Sequence, residues 1–349
     1  MSYFRPSIDT LRAYEPGEQP SPDSSIIKLN TNENPYPPSA KALATLRDIE
    51  PDSLRRYPHP FAEEFRQSAA KVLGINPDWI VVGNGSDDLL AMLFRSICGA
   101  KRPVTFPVPT YSLYRTLAQM QDVPTVEVPF DDTFTLPVNG LATAAAALTI
   151  VASPNSPSGN RISTTDLYNL ATRTPGVLVI DEAYVEFASG DALDLTSRCK
   201  NIIVLRTLSK SHSLAGLRLG FAVAPPSLVR GLVKVKDSYN VDAISARVGA
   251  VAIRDQNHTR ETTKRICSSR ERLAKALEAI RWRVWPSEAN FLLVQPPSGN
   301  ARAVYEGLKA HGILVRYFNE PTLTHQLRIT IGTDEQNEKL LKALEHLNR

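Results

Sequence analysis

Cysteine is scarce in this chain: three residues in 349, Cys98, Cys199 and Cys267. They lie far apart in no metal-ligand spacing, which excludes a disulfide-stapled scaffold and reads as reduced thiols filling core positions in a cytoplasmic protein. Histidine is also sparse, with six residues and no pair at zinc-motif spacing, so no metal site is expected. Long apolar runs are missing. The longest, LATAAAALTIVA, falls well short of the ~20 residues that cross a bilayer. The opening MSYFRPSIDT is polar and carries an Asp, so no secretory leader is expected. Charge of one sign is lacking too. The formal +4 is spread without a Lys or Arg block, too mild for nucleic acid or an anionic membrane, yet compatible with a small anionic substrate. There is no P-loop and no GxSxG elbow, and in VVGNGSDDLL Asp88 stands where a dinucleotide fingerprint needs its third glycine. The missing P-loop and elbow lower the NTPase and serine-hydrolase readings.

What is present is a rhythm. Short apolar runs, WIVVG, VTFPV, TVEVPF, LTIVAS, GVLVID, NIIVLRT and LGFAVA, alternate with helical patterns. Runs of this length, rich in Val and Ile, predict a large and mostly parallel seven-stranded sheet covered on both faces, in the α/β class. Residues 1–38, rich in Pro, Ser and Asn, read as an arm lying over other parts. Residues 39–240 read as the large domain, and 241–349 as a smaller α/β domain. In that last part a long helix around SSRERLAKALEAI leads to the strands NFLLVQ, ILVRYF and LRITIG. A closing helix there aligns Leu340, Leu341, Leu344 and Leu347 on one face.

Ligands of open parallel sheets bind at the carboxyl ends of the strands, and that is where the unusual residues fall. Asp181 ends VLVID, a strand expected to be buried, where a carboxylate is costly unless paired with a cation. A structural ion pair or helix cap is the plain alternative. The sharper reading sets Asp181 against a pyridine nitrogen that it keeps protonated, with Tyr184 donating to the ring's phenolic oxygen. Lys210 follows NIIVLRT among hydroxyl residues, with Arg218 beyond a small-residue loop. A lone loop lysine is usually a solvated one, protonated and unreactive at neutral pH. Attached to a carbonyl cofactor as an imine it stays available for exchange, and Ser209 and Arg218 beside it suit a phosphate. The turn GNGSDD opens a helix whose free N–H groups, at Ser86 and Asp87, make a second anion site, although Ser and Asp are also common caps. Tyr111, after another strand, is placed to stack on a flat ring, and Asn155 of SPNSPSGN to reach the cofactor's edge.

Together these segments resemble the fold-type-I aminotransferases, and among them the histidinol-phosphate aminotransferase family. The resemblance runs through nearly the whole chain, by way of KLNTNENPYPP, RRYPHP, GNGSDDLL, PTYSLY, SPNSPSGN, VIDEAYVEF, LRTLSKSHSLAGLRLGF, GILVRYF and LRITIGT. It implies pyridoxal 5'-phosphate as cofactor, with Lys210 as the Schiff-base lysine, Asp181 as pyridinium partner and Tyr184 as donor to the phenolic oxygen. Tyr111 resembles the stacking ring. Ser86, Asp87, Ser209 and Arg218 resemble the phosphate cradle, joined by a Tyr57 lent from the neighbouring subunit of a homodimer with shared active sites. Tyr14, Asn32, Tyr239, Arg316 and Arg328 match substrate-site positions. The implied reaction moves an amino group between L-histidinol phosphate and 2-oxoglutarate, giving glutamate, in histidine biosynthesis. Many relatives read PNNPTG, and Ser156 here replaces the second Asn, so either Ser156 or Asn155 is expected to take that contact. SYN at Tyr239 replaces a more usual PYN. An aromatic amino acid aminotransferase and a threonine-phosphate decarboxylase would share the same Lys and Asp. A non-catalytic aminotransferase-like regulator would carry a DNA-binding module ahead of this domain, where only the arm is seen.

Overall fold

The seven apolar runs are all strands in the computed structural model of the protein, which describes residues 2–11, 17–21 and 24–347. In chain order β1 is Ile27–Lys28, β2 Ile80–Gly83, β3 Val104–Val108, β4 Thr125–Pro129, β5 Leu148–Ala152, β6 Val177–Asp181, β7 Ile202–Thr207 and β8 Gly220–Val223. All but β1 form one seven-stranded sheet in the order β2-β8-β7-β6-β5-β3-β4. The run from β7 through β6, β5 and β3 to β4 is parallel, while β8 is antiparallel to both β7 and β2. The connection from 208 to 219 holds one short 3-10 turn and no crossover helix, so the chain returns antiparallel.

Central strands bury residues on both faces, which is why they read as continuous apolar runs. Val179, Ile203 and Leu205 pack on one side with the helices Gly85–Ile97 and Leu113–Met120. Leu178, Ile180, Ile202 and Val204 pack on the other with the helix Thr164–Arg173. Each such side chain contributes about 1.5–3 kcal/mol on burial.

The remaining strands are β9 Arg283–Val284, β10 Phe291–Gln295, β11 Ile313–Leu314, β12 Arg316–Tyr317 and β13 Leu327–Thr330. Four of them form an antiparallel sheet in the order β12-β13-β10-β9. Its core takes Ile266, Leu273 and Leu277 from the helix Gln256–Ala279, and Leu340 and Leu344 from the helix Asp334–Leu347. The N-terminal segment adds Leu29 to that core and pairs β1 with β11 in parallel. ILVRYF is thus not one strand as expected: Ile313 and Leu314 join β1, buried Val315 turns the chain, and Arg316 and Tyr317 join β13. Among the described residues no helix is long and apolar enough to cross a membrane.

The helices Glu63–Leu73 and Ala243–Arg254 pack over β2 and β8, and Gly249 lies buried at their contact. A Cβ there would stand 2.1 Å from Leu219 Cδ2 and 3.2 Å from Phe65 Cδ2. Gly249→Ala is therefore expected to destabilise the fold by about 1–3 kcal/mol, as overpacking does. Gly231→Ala, at a helical position with nothing within 4 Å of a new Cβ, should be neutral or stabilising. Urea unfolding midpoints of the two variants check the contrast, and equal midpoints would refute the packing argument.

Candidate active site

A cavity of about 220 Å³ opens at the carboxyl ends of β5, β6 and β7 and reaches the small sheet. Lys210 enters it from the loop after β7, where the amide of Asn34 donates to the carbonyls of Lys210 and Ser211, both at 3.1 Å. The Lys210 ammonium donates to the Thr31 carbonyl at 3.2 Å and lies 5.7 Å from the Tyr184 ring centre. The Tyr184 hydroxyl accepts from the Asn32 amide at 3.0 Å. Asn32 adopts a left-handed φ of 58° and is fixed by Thr330 and by the Asn290 amide. The arm, the small sheet and the large sheet therefore meet at one amine.

Asp181, the last residue of β6, is 5% exposed. Its Oδ2 accepts from the Tyr114 hydroxyl at 2.6 Å and its Oδ1 from the Ala183 amide at 3.2 Å. None of the ion pairs between described residues involves it. Burial pushes its pKa up to about 6, with the Tyr114 bond pulling the other way.

Across the cavity the helix Gly85–Ile97 begins without a side-chain cap, leaving its first amides available. Gly85 has a φ of +79°, and a Cβ there would lie 2.8 Å from an Arg218 nitrogen, so only glycine leaves that space open. Arg218 binds Asp87 at 2.9 Å, and the Tyr111 hydroxyl donates to the same carboxylate at 3.3 Å. Ser86 and Ser209 also line the space, Ser209 held by Thr207 through its hydroxyl and its amide. A buried acid with no cation, an amine, a helix start with open space before it and a guanidinium together fit a flat pyridine aldehyde bearing a phosphate.

The small sheet closes the far side. Arg316 and Arg328 are direct cross-strand partners on β12 and β13, so both side chains share one face, and both line the cavity. Like charges directly opposite each other on a sheet are destabilising, an arrangement that suits an anion placed between them. Arg328 donates to the Ser156 hydroxyl at 2.9 Å and to the Asn30 carbonyl at 3.0 Å, and both guanidinium groups lie near the Phe318 ring.

Not every expected residue comes to this cavity. Asn155 is fully buried outside it: its oxygen accepts from Thr110, and its nitrogen donates to the Pro109 carbonyl and the Ser158 hydroxyl. Its amide is spent on folding the loop, and Ser156 is the side chain of that pair facing the cavity. Tyr57 is 82% exposed and stacks on Tyr239 with ring centres 4.6 Å apart; neither borders the cavity of its own chain. Tyr14 lies outside the described residues. Sequence reasoning missed Tyr114, Asn34 and Thr31. Asn34 and Thr31 stood in the quoted segment KLNTNENPYPP, but nothing local tells that their partner lies some 180 positions on.

This fold, with an amine and a buried acid at neighbouring strand ends, defines a class: residues 24–344 match the family described as aminotransferase class I and II. Within that class the chain belongs to the histidinol-phosphate aminotransferase family. It is 53% identical to histidinol-phosphate aminotransferase 1 of Trichormus variabilis, over 100% of this chain and 99% of the relative. It is 41% identical to the histidinol-phosphate aminotransferase of Rhodopirellula baltica, over 98% and 95% of the two chains. The crystal structure of the Sinorhizobium meliloti histidinol-phosphate aminotransferase in complex with pyridoxal-5'-phosphate superposes with a TM-score of 0.90 at 27% identity, covering 99% of this chain and 98% of that one.

Directly behind Asp181, Glu182 is buried against Arg206 of β7. Its Oε2 accepts from Arg206 Nε at 3.0 Å and pairs with Arg206 Nη2 at 2.8 Å, its Oε1 accepts from the Ala192 amide at 2.6 Å, and its own amide donates to the Leu205 carbonyl. Burial pushes the Glu182 carboxyl up to about 7 against the pull of Arg206. Removing one partner of such a pair strands the other, at a cost of about 3–5 kcal/mol. Glu182→Ala is expected to show that loss in chemical denaturation of the cofactor-free protein. A loss below about 1 kcal/mol would mean that Asp191, 3.0 Å from the same guanidinium, suffices.

Proposed function

We propose that this chain is a pyridoxal 5'-phosphate-dependent transaminase of histidine biosynthesis, exchanging an amino group between L-histidinol phosphate and 2-oxoglutarate. The observation that carries the reading is the Arg316–Arg328 pair facing the cavity that Lys210 enters. The substrate of this reaction bears a phosphate, its co-substrate bears carboxylates, and paired guanidinium groups fork onto either. The names of the close relatives favour the same substrates.

When bound, the cofactor supplies an aldehyde for covalent attachment to an amine and a protonated pyridine ring that draws charge away from the substrate's α-carbon. Lys210 would hold the cofactor through Nζ, and that amine, oriented by the Thr31 carbonyl, would be the group that moves the substrate's α-proton. Asp181 would hold the proton on the pyridine nitrogen. Tyr184 accepts from Asn32, which leaves its own proton to donate to the phenolic oxygen. Tyr111 would stack on the ring, while Ser86, Asp87, Ser209 and Arg218 would cradle the phosphate, with Arg218 and Asp87 keeping the local charge balanced. Asn32 would border the substrate through its amide.

We further propose a cytoplasmic homodimer with shared sites. Tyr57 and Tyr239 form an exposed ring pair that does not border the cavity of its own chain, and Leu54 and Phe61 are exposed in the same stretch. Tyr57 would reach the neighbouring subunit's phosphate cradle, and Tyr239 its substrate. Tyr14 would approach the substrate from the arm. All three cysteines are free thiols, as a reducing compartment keeps them.

Lys210→Ala should abolish turnover and the borohydride-reducible chromophore, and peptide mapping should find the reduced cofactor on Lys210 alone. Arg328→Ala should lower kcat/KM about ten- to a hundred-fold in both half-reactions, since each uses the same anion clamp. Kinetics should be ping-pong, with histidinol phosphate preferred over phenylalanine and tyrosine. A higher kcat/KM for the aromatic amino acids would replace this reading with an aromatic aminotransferase, and release of carbon dioxide from threonine phosphate would replace it with a decarboxylase.

For the shared site, mixing Lys210→Ala subunits with Tyr57→Phe subunits should regain activity, because half of each heterodimer's sites then carry both native residues. Fully active monomers in sedimentation would refute the shared site.

A further inference from the structure

The Tyr114 side chain is fully buried, yet it carries a hydroxyl to the edge of the cavity. It sits in the first turn of the helix Leu113–Met120. In sequence it reads as one more aromatic on the apolar face of a helix, and part of its ring does pack that way, 5.8 Å from Phe106. Two other contacts have no such reading. Its hydroxyl donates to Asp181 Oδ2 at 2.6 Å. Its ring also stands edge-on to Tyr111, with centres 5.6 Å apart and planes at 83°.

We propose that Tyr114 is a positioning residue that serves two faces of the cofactor site at once: its hydroxyl holds Asp181 as an oriented, ionised carboxylate, and its ring sets the tilt of Tyr111. This rests on the functional reading above, in which Asp181 meets the pyridine nitrogen and Tyr111 stacks on the ring.

A carboxylate taken out of water stays ionised only where hydrogen bonds replace the water. Asp181 has two such bonds, one from the Ala183 amide and one from Tyr114. The other charged and titratable groups around it do not replace them. Asp87 on the neighbouring helix disfavours its charge, and Arg218 is spent on Asp87. Lys210 is turned to the Thr31 carbonyl, Tyr184 to Asn32, and Glu182 to Arg206. Tyr114 keeps its proton throughout, because burial and the adjacent carboxylate push its pKa well above 10. It is therefore a permanent donor. With one oxygen bonded to each donor, the carboxylate is fixed in rotation while it borders the cavity, and a fixed acceptor is what a ring nitrogen needs for a straight hydrogen bond.

The test separates hydroxyl from ring. Tyr114→Phe keeps the ring and removes the donor; Tyr114→Leu removes both. In the cofactor-free protein, Asp181 has its folded pKa raised above the unfolded value of 3.8, to about 6. Its contribution to stability is thus full at low pH and lost as pH rises through about 6. Without the Tyr114 donor the folded pKa rises further, so the loss extends to higher pH. Tyr114→Phe should therefore weaken folding more at pH 8 than at pH 5, by roughly ten-fold in the folding equilibrium constant. A purely structural hydroxyl would cost the same at both pH values, and that result overturns the hydroxyl half of the proposal. In the holoenzyme, visible circular dichroism of the bound cofactor reads the ring's tilt. It should stay close to wild type in Tyr114→Phe and change in Tyr114→Leu; an unchanged spectrum in Tyr114→Leu overturns the ring half. Failure of the wild-type protein to bind pyridoxal phosphate at all would sink the functional reading instead, and the cofactor-free titration would still decide the role of Tyr114 toward Asp181.

Discussion

At the end of the central strand β6, the Asp181 carboxylate is withdrawn from water with a phenol and one backbone amide as its hydrogen-bond partners. Such a group is expensive for a fold to keep, and much of the surrounding construction follows from it. The parallel strands must be buried on both faces to exclude water from its position. The next residue, Glu182, needs its own cation, and Arg206 on β7 provides it while tying the ends of β6 and β7 together. The same two strand ends then carry the acid and the loop bearing the amine, so the geometry of the site is set by sheet register and not by loops alone. An acid with no side-chain cation of its own is the acceptor that a protonated ring would complete.

The amine is placed by quite different means. Lys210 lies on a loop, and a loop holds position only as well as its backbone is bonded. Here Asn34 bridges two successive carbonyls of that loop, and Thr31 receives the ammonium. Both come from the N-terminal segment, which is anchored in turn by β1 on β11 and by Asn32 on Thr330. The small sheet therefore reaches Lys210 through the arm, which couples that side of the cavity to the Lys210 amine without direct contact between them.

These differences govern what could be read from the sequence. The large sheet was legible because strands covered on both faces cannot hide: VLVID and NIIVLRT leave no polar alternation. That Lys210, Asp181 and Arg218 border one cavity was legible through their company at strand ends. The break in ILVRYF was not, since a two-residue pairing with Ile27 and Lys28 is decided by contacts nearly three hundred positions away. Asn155 was misplaced for a related reason. Its segment is plainly a turn, but which amide points inward depends on Thr110 and Ser158. Tyr114 carries no local signal at all, because an aromatic on a helix face is what core packing alone would select.

The facing of Arg316 and Arg328 bears on selectivity. Under the proposed function, two guanidinium groups in register would meet the anion that both substrates carry, and so would do little to tell phosphate from carboxylate. What they can do is reject a substrate without an anion. A site built around a charged group penalises ligands that fail to meet it far more than a missing methylene is penalised, because the group's solvation is lost with nothing in return. For this pair the anion's loss would be felt by two guanidinium groups at once, since Arg316 and Arg328 are cross-strand partners on one face. Discrimination against plain aromatic amines can then arise with no steric exclusion of the aromatic ring.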